Sequence, residues 1–163
     1  MIYEINQDLT EAPVDIILHC CNTHCTMGSG VAKTIREKFP ESYEVDCTTK
    51  KGDIDKLGKI TVAKITNPHN QIKWVFNLYG QHTFGSKPRE VNYEAIYNAL
   101  DESRKRITNK TWKVGIPRLM GCVRAGGDWR IIRAMIDVIF EKSFFDVYIC
   151  NYDGKLTNPN LKP

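Results

Sequence analysis

Short blocks of alternating apolar residues exchange along this chain with longer blocks whose apolar residues recur at three and four, which predicts strands exchanging with helices. Residues 2–5 read as a first short strand. Residues 15–21 (DIILHCC) are almost continuously apolar, as in a strand covered on both faces. A helix over residues 31–39 opens after Gly28-Ser29-Gly30 and closes before Pro40, and residues 41–47 begin another short one. Residues 59–65 (KITVAKI) and 73–79 (KWVFNLY) are the next strands. In a helix over residues 90–106, Tyr93, Ile96, Tyr97 and Leu100 share one buried stripe. Residues 113–117 form a strand, and a helix over 129–142 repeats the stripe with Ile132, Met135, Ile136 and Ile139. Residues 145–151 make the last strand, and the tail after Tyr152 is a loosely held end.

This order implies an α/β sheet with helices on both faces, and such sheets bind ligands beyond the carboxyl ends of their strands. No repeat or Pro/Gly/Ser linker divides the pattern, and 163 residues suit one domain that buries about two-thirds of its unfolded surface. With 42% hydrophobic and 26% charged residues the chain is neither disordered nor membrane-embedded. A net charge of +4 admits an anionic partner, but the basic stripe and interleaved aromatics of a nucleic-acid binder are missing. The N-terminus (MIYEINQDLTEAPVD) carries acids where a signal peptide is basic and then apolar, and no apolar run approaches the ~20 residues of a membrane span. A cytoplasmic location with reduced cysteines is therefore expected, with no membrane partner. Cys21, His24 and Cys25 raise the question of zinc, but Cys47, Cys122 and Cys150 stand alone, without paired short spacings. The six cysteines read as buried thiols, with no metal and no cofactor implied.

Two strand-to-helix loops carry the candidate chemistry. The first, residues 19–32 (HCCNTHCTMGSGVA), has Gly28, Ser29 and Gly30 where a helix opens, so its backbone can approach an anion. It matches neither the dinucleotide fingerprint nor the Walker loop, and a plain tight turn is the competing reading. His19 and Asn22 lie at the strand end, where they would project into the same crevice. The second loop, residues 117–129 (PRLMGCVRAGGDW), offers a facing row of N–H groups from Met120 to Gly126, so that the two rows clamp a pyrophosphate. Arg124 either adds charge or is a solvated surface residue, and Asp128 is placed to cap the following helix. A third segment, residues 77–89, flanks the site, and His82 and His69 read as exposed bystanders in polar loops.

Together these residues resemble the macro domain family, whose members bind ADP-ribose. The likeness runs over residues 2–152, one domain followed by a tail at 153–163. It rests on the strand-end tetrapeptide His19-Cys20-Cys21-Asn22, on Met27-Gly28-Ser29-Gly30-Val31-Ala32, and on a second loop in which Val123-Arg124 replaces the usual Gly-Leu. An early Gly-Asp pair is represented by Gln7-Asp8. The family fold is a mixed central β-sheet sandwiched between helices in three layers. The loop led by a histidine looks most like the branch that contains ADP-ribose 1″-phosphate phosphatases. A sister branch, which removes ADP-ribose from acidic side chains or DNA bases, uses a lysine soon after the fourth strand with an aspartate. Here no lysine follows that strand before Lys87, and the aspartate position falls near Ala125, so that mechanism is disfavoured.

By resemblance, Asp8 bonds the adenine amino group beside the backbone of Leu9, and Asn22 holds the distal ribose. Gly28, Ser29, Gly30 and Val31 cradle the phosphates together with Met120, Gly121, Cys122, Val123, Arg124, Ala125 and Gly126. Thr26 contacts phosphate or ribose, and Tyr152 either stacks on adenine or packs at the C-terminus. The expected activity is hydrolysis of ADP-ribose 1″-phosphate, with His19 as acid/base, imidazole being able to exchange a proton near neutral pH. Asp128 is a second candidate, as base or water-orienting group. Their competing readings are a hydrogen-bonded core histidine and a helix cap. Hydrolysis of other ADP-ribose derivatives and non-catalytic reading of ADP-ribose remain open. The expected protein is a monomer that meets nucleic acid only as an ADP-ribosylated substrate.

Overall fold

The computed structural model describes residues 1–67, 70–85 and 88–151. Six strands, β1 (Ile2–Ile5), β2 (Ile16–Asn22), β3 (Ile60–Lys64), β4 (Trp74–Gln81), β5 (Lys113–Pro117) and β6 (Asp146–Cys150), form one sheet in the order β1-β6-β5-β2-β4-β3. All neighbours are parallel except β3, which runs antiparallel to β4. Four helices accompany them: α1 (Gly30–Lys38), α2 (Pro40–Asp46), α3 (Tyr93–Arg106) and α4 (Trp129–Phe140).

The pleat of β2 explains why its sequence is apolar throughout. Ile16 and Leu18 point into the core under α3 and α4, with Ile96, Leu100, Ile132 and Ile136. Ile17 and Cys21 point the other way, into a core shared with Ile35 of α1 and with Phe39 between α1 and α2. Each face of the sheet is therefore roofed by a helix pair, giving three layers. No described helix is long and apolar enough to cross a membrane.

Departures from the sequence reading have local causes. The helix expected from residue 90 begins at Tyr93, because the Asn92 side chain accepts from the Ala95 N–H at 3.0 Å and caps it there. The N–H groups of Glu90 and Val91 instead donate to the carbonyl of Ala125, at 2.7 and 3.1 Å, tying this segment to the second loop. Tyr97, expected in the buried stripe, is 40% exposed, and Ala95, Ala99 and Ser103 are buried with Ile96 and Leu100. Helix α4 stops at Phe140, which is itself buried. Two turns of 3-10 helix, Leu9–Glu11 and Ile54–Lys56, were not expected. Three residues make too short a segment to show a period.

Candidate functional site

Because β1, β6, β5, β2 and β4 are mutually parallel, their carboxyl ends share one edge of the sheet. Asp8 follows β1, the second glycine loop follows β5, the first follows β2, and His82 follows β4. From β1 to β2 the edge crosses three strand spacings, about 14 Å at ~4.8 Å each. That is the scale of an extended dinucleotide.

At the β1 end, Asp8 Oδ1 accepts from the Thr10 N–H (2.8 Å) and hydroxyl (2.9 Å), fixing the carboxylate. Its Oδ2 lies 4.0 Å from Lys38 Nζ. Leu9 is buried, so only its backbone is available beside Asp8. Tyr152 lies outside the described residues.

The first loop is held from beneath. Cys25 and Met27 adopt left-handed backbone (φ 56° and 40°), which costs free energy unless other contacts fix it. Met27 is sunk in the core, Cys25 Sγ donates to the Asp46 carbonyl (3.4 Å), and buried Lys56 donates to Cys25 Sγ (3.5 Å) and Thr49 Oγ1 (2.8 Å). From above, Arg36 donates to the Thr26 carbonyl at 3.1 Å. Asn22 is engaged inside the loop: its Nδ2 donates to Thr26 Oγ1 (2.7 Å) and its Oδ1 accepts from the His24 N–H (2.8 Å). Whereas side chains cap α3 and α4, Ser29 makes no capping bond to α1. The first-turn N–H groups around Gly30 and Val31 thus lack a side-chain acceptor, and the positive end of the helix dipole favours an anion there. Gly28 is crowded by nothing, since a Cβ there would meet only the Thr26 carbonyl at 3.9 Å. The fold does not demand glycine at that position, whereas close approach by a ligand would.

The second loop is folded more tightly than its composition suggested. N–H groups of Met120, Cys122, Gly126 and Gly127 donate to Pro117, Leu119, Cys122 and Gly121 carbonyls at 2.9–3.2 Å. The row of donors expected from Met120 to Gly126 is therefore interrupted. Gly121, Val123, Arg124 and Ala125 keep N–H groups that make no backbone bond to a described residue. Gly126 is required by the fold: its φ is +70°, and a Cβ would lie 2.0 Å from the Pro88 carbonyl oxygen. The two loops meet where a Cβ on Gly30 (φ +60°) would touch Arg124 Cδ and Nε at 3.4 Å. Val123 is 78% exposed at the rim.

His19 does not reach this crevice. In β2 it shares the pleat of Ile17 and Cys21, is 0% exposed, and holds Asn77 Oδ1 at 2.6 Å. Asn77 Nδ2 donates to Ser42 O (2.9 Å) and Thr61 Oγ1 (3.1 Å), so Oδ1 is the acceptor and His19 Nε2 carries the proton. Burial lowers its pKa to about 4, against a smaller opposing effect of the Asn77 bond, and keeps the ring neutral. Asp128 caps α4 by accepting from the Arg130 N–H at 2.9 Å and pairs with the Arg130 guanidinium at 2.7 Å. Bonds to Arg130 hold its carboxyl below the ordinary carboxylate range. The two residues expected to handle protons thus both have structural partners.

Burial pushes the Cys20 thiol up to about 12 and Cys122 to about 11, and raises Cys21, so these thiols stay protonated small side chains. Among the described residues no three His, Cys, Asp or Glu side chains gather as a metal ion would need.

His82, expected as an exposed bystander in a polar loop, is placed differently by the structure. It is half-buried, and its Nδ1 lies 2.7 Å from the hydroxyl of fully buried Thr23, 59 positions away. No local signal announces a contact of that span.

The arrangement is a three-layer α/β domain whose two glycine loops come together at one edge of the sheet. Residues 18–136 match the Macro domain family model, and the chain belongs to that family, a class of ADP-ribose-binding folds. It is 35% identical over 130 residues to a 17.5 kDa protein of Enterobacteria phage T4 described as uncharacterized, covering 77% of this chain and 80% of that one. It is 25% identical over 150 residues to the ADP-ribose glycohydrolase OARD1 of Bos taurus, covering 91% of this chain and 88% of the relative. The macrodomain of Mycobacterium tuberculosis DarG superposes with a TM-score of 0.78 at 19% identity, over 94% of this chain and 99% of that one, a likeness of fold.

Proposed function

We propose that this domain binds ADP-ribose along the carboxyl edge of its sheet and hydrolyses ADP-ribose 1″-phosphate to ADP-ribose and phosphate. One observation supports the binding: Asp8 after β1, the second glycine loop after β5, and Asn22 with the first glycine loop at the end of β2 lie in that order along the edge, which suits adenine at one end and the distal ribose at the other. Adenine lies at Asp8, the pyrophosphate between the first turn of α1 and the Val123–Ala125 backbone, and the distal ribose at Asn22 and Thr26. His19 and Asp128 support the site, His19 by fixing β2 to β4 and Asp128 by capping α4.

The rival route, removal of ADP-ribose by a lysine and an aspartate, finds no carboxylate at the second position. Ala125 stands there, buried, its carbonyl occupied by Glu90 and Val91. The structural duties of His19 and Asp128 favour a second reading, a domain that binds ADP-ribose without turnover. Phosphate release from ADP-ribose 1″-phosphate, measured beside calorimetric titration with ADP-ribose, separates the two. Release together with binding supports hydrolysis, binding alone supports the reader, and neither overturns both.

A further inference from the structure

Asn22 and Gln81 pair across β2 and β4, and His82, the residue after Gln81, lines a cavity of about 430 Å³ with Thr83, Arg89, Tyr93, Ile54 and Leu57. Its volume is within the range of small-molecule sites. His82 follows β4 beside the end of β2 that carries Asn22, so the cavity wall lies on the side of the edge proposed for the distal ribose. Arg89 is stacked on the Tyr93 ring at 4.5 Å, which places a guanidinium at the cavity wall. Glu90 and Glu94 also line the cavity.

His82 is held there in one orientation by Thr23. Thr23 Oγ1 lies 2.7 Å from His82 Nδ1 and 3.2 Å from the His82 carbonyl; with the hydroxyl proton on the carbonyl, Nδ1 carries the ring proton and Nε2 the lone pair a base needs. The His24 ring packs against it, 5.1 Å away between centroids, and is itself backed by Phe84 at 5.9 Å. The Thr23 contact engages Nδ1, and Nε2 makes no hydrogen bond to a described residue.

We propose that His82 is the proton-handling residue of this cleft, with Thr23 as its positioning residue; the inference rests on the hydrolysis reading above. Water oxygen bonds to phosphorus while the bond from phosphorus to the C1″ oxygen breaks, its electron pair leaving with that oxygen. Nε2 takes the proton from the water, and the imidazolium returns it through a second water to the departing oxygen. ADP-ribose and inorganic phosphate result, and the ring is neutral again.

The test is phosphate release by wild type, His82→Gln, His82→Ala, Thr23→Val and Thr23→Ser, with ADP-ribose titrated calorimetrically into each. His82→Gln should lose about 100-fold or more in kcat, the scale of a lost acid/base group, with ADP-ribose affinity within about twofold. Added imidazole should restore part of the His82→Ala rate, and Thr23→Ser should recover most of what Thr23→Val loses. A structural role would give neither rescue. His82→Gln turning over within a few-fold of an active wild type overturns the inference alone. A wild type that binds ADP-ribose but releases no phosphate overturns the hydrolysis reading, and the inference with it.

Discussion

Replacing His19 by glutamine tests whether this histidine belongs to the core or to the chemistry. Glutamine keeps an amide N–H for Asn77 Oδ1 and removes the titratable ring. In the folded protein burial lowers the histidine from its ordinary 6.5 to about 4, with no exposed surface to screen the effect. The unfolded chain therefore binds a proton between those values that the folded chain refuses. The stability from this group is fully present above pH 6.5 and is lost as pH falls toward 4. At about 1.36 kcal/mol per pH decade the loss comes to about 3 kcal/mol. Asp46 works in the opposite sense: burial raises its carboxyl, so its contribution declines as pH rises above 3.8. Asp46 is common to both proteins, and the difference between them isolates His19. Urea unfolding at pH 7 and pH 4.5 should show wild type losing most of that increment relative to His19→Gln. Parallel losses in the two would refute the buried, neutral histidine. A His19→Gln protein that folds and binds ADP-ribose yet releases no phosphate would return His19 to the mechanism.

Other outcomes follow from the same geometry. His19→Ala, which leaves Asn77 Oδ1 without its donor beside a void, should lose about 2–4 kcal/mol in urea unfolding at pH 7. Asp128→Ala should lower the melting temperature slightly and leave phosphate release within a few-fold, whereas a collapse of turnover in a folded protein would make Asp128 part of the chemistry. Gly30→Val, whose side chain would drive into Arg124 and the anion cradle, should abolish ADP-ribose binding by calorimetry while circular dichroism stays native. Asp8→Ala should weaken ADP-ribose about tenfold or more, the scale of a lost hydrogen bond to a charged group.

Much of this architecture was legible in the pattern of residues. DIILHCC announced a strand roofed on both faces, and both glycine loops fell between a strand and a helix as expected. The placement of His19 was also within reach, because a period of two puts it on the face of Ile17 and Cys21. Reading it by nearness to the strand end set that period aside. The self-bonding of the second loop was harder to foresee, because its carbonyls compete for the N–H groups only once Leu119 and Gly121 turn left-handed (φ 65° and 72°). Thr23 and His82 meet only because β2 and β4 are neighbours in the sheet. Strand order is not written in local sequence.

In the proposed complex ADP-ribose lies along the carboxyl edge from Asp8 to Asn22. Backbone amide chemical shifts recorded while ADP-ribose is titrated into the protein test it most directly. Binding there should give saturable shifts concentrated at Asp8, Leu9, Gly28, Ser29, Gly30, Val31 and from Val123 to Gly126, with the far faces of α3 and α4 unmoved. Shifts elsewhere on the surface, or none at saturating ADP-ribose, would contradict it.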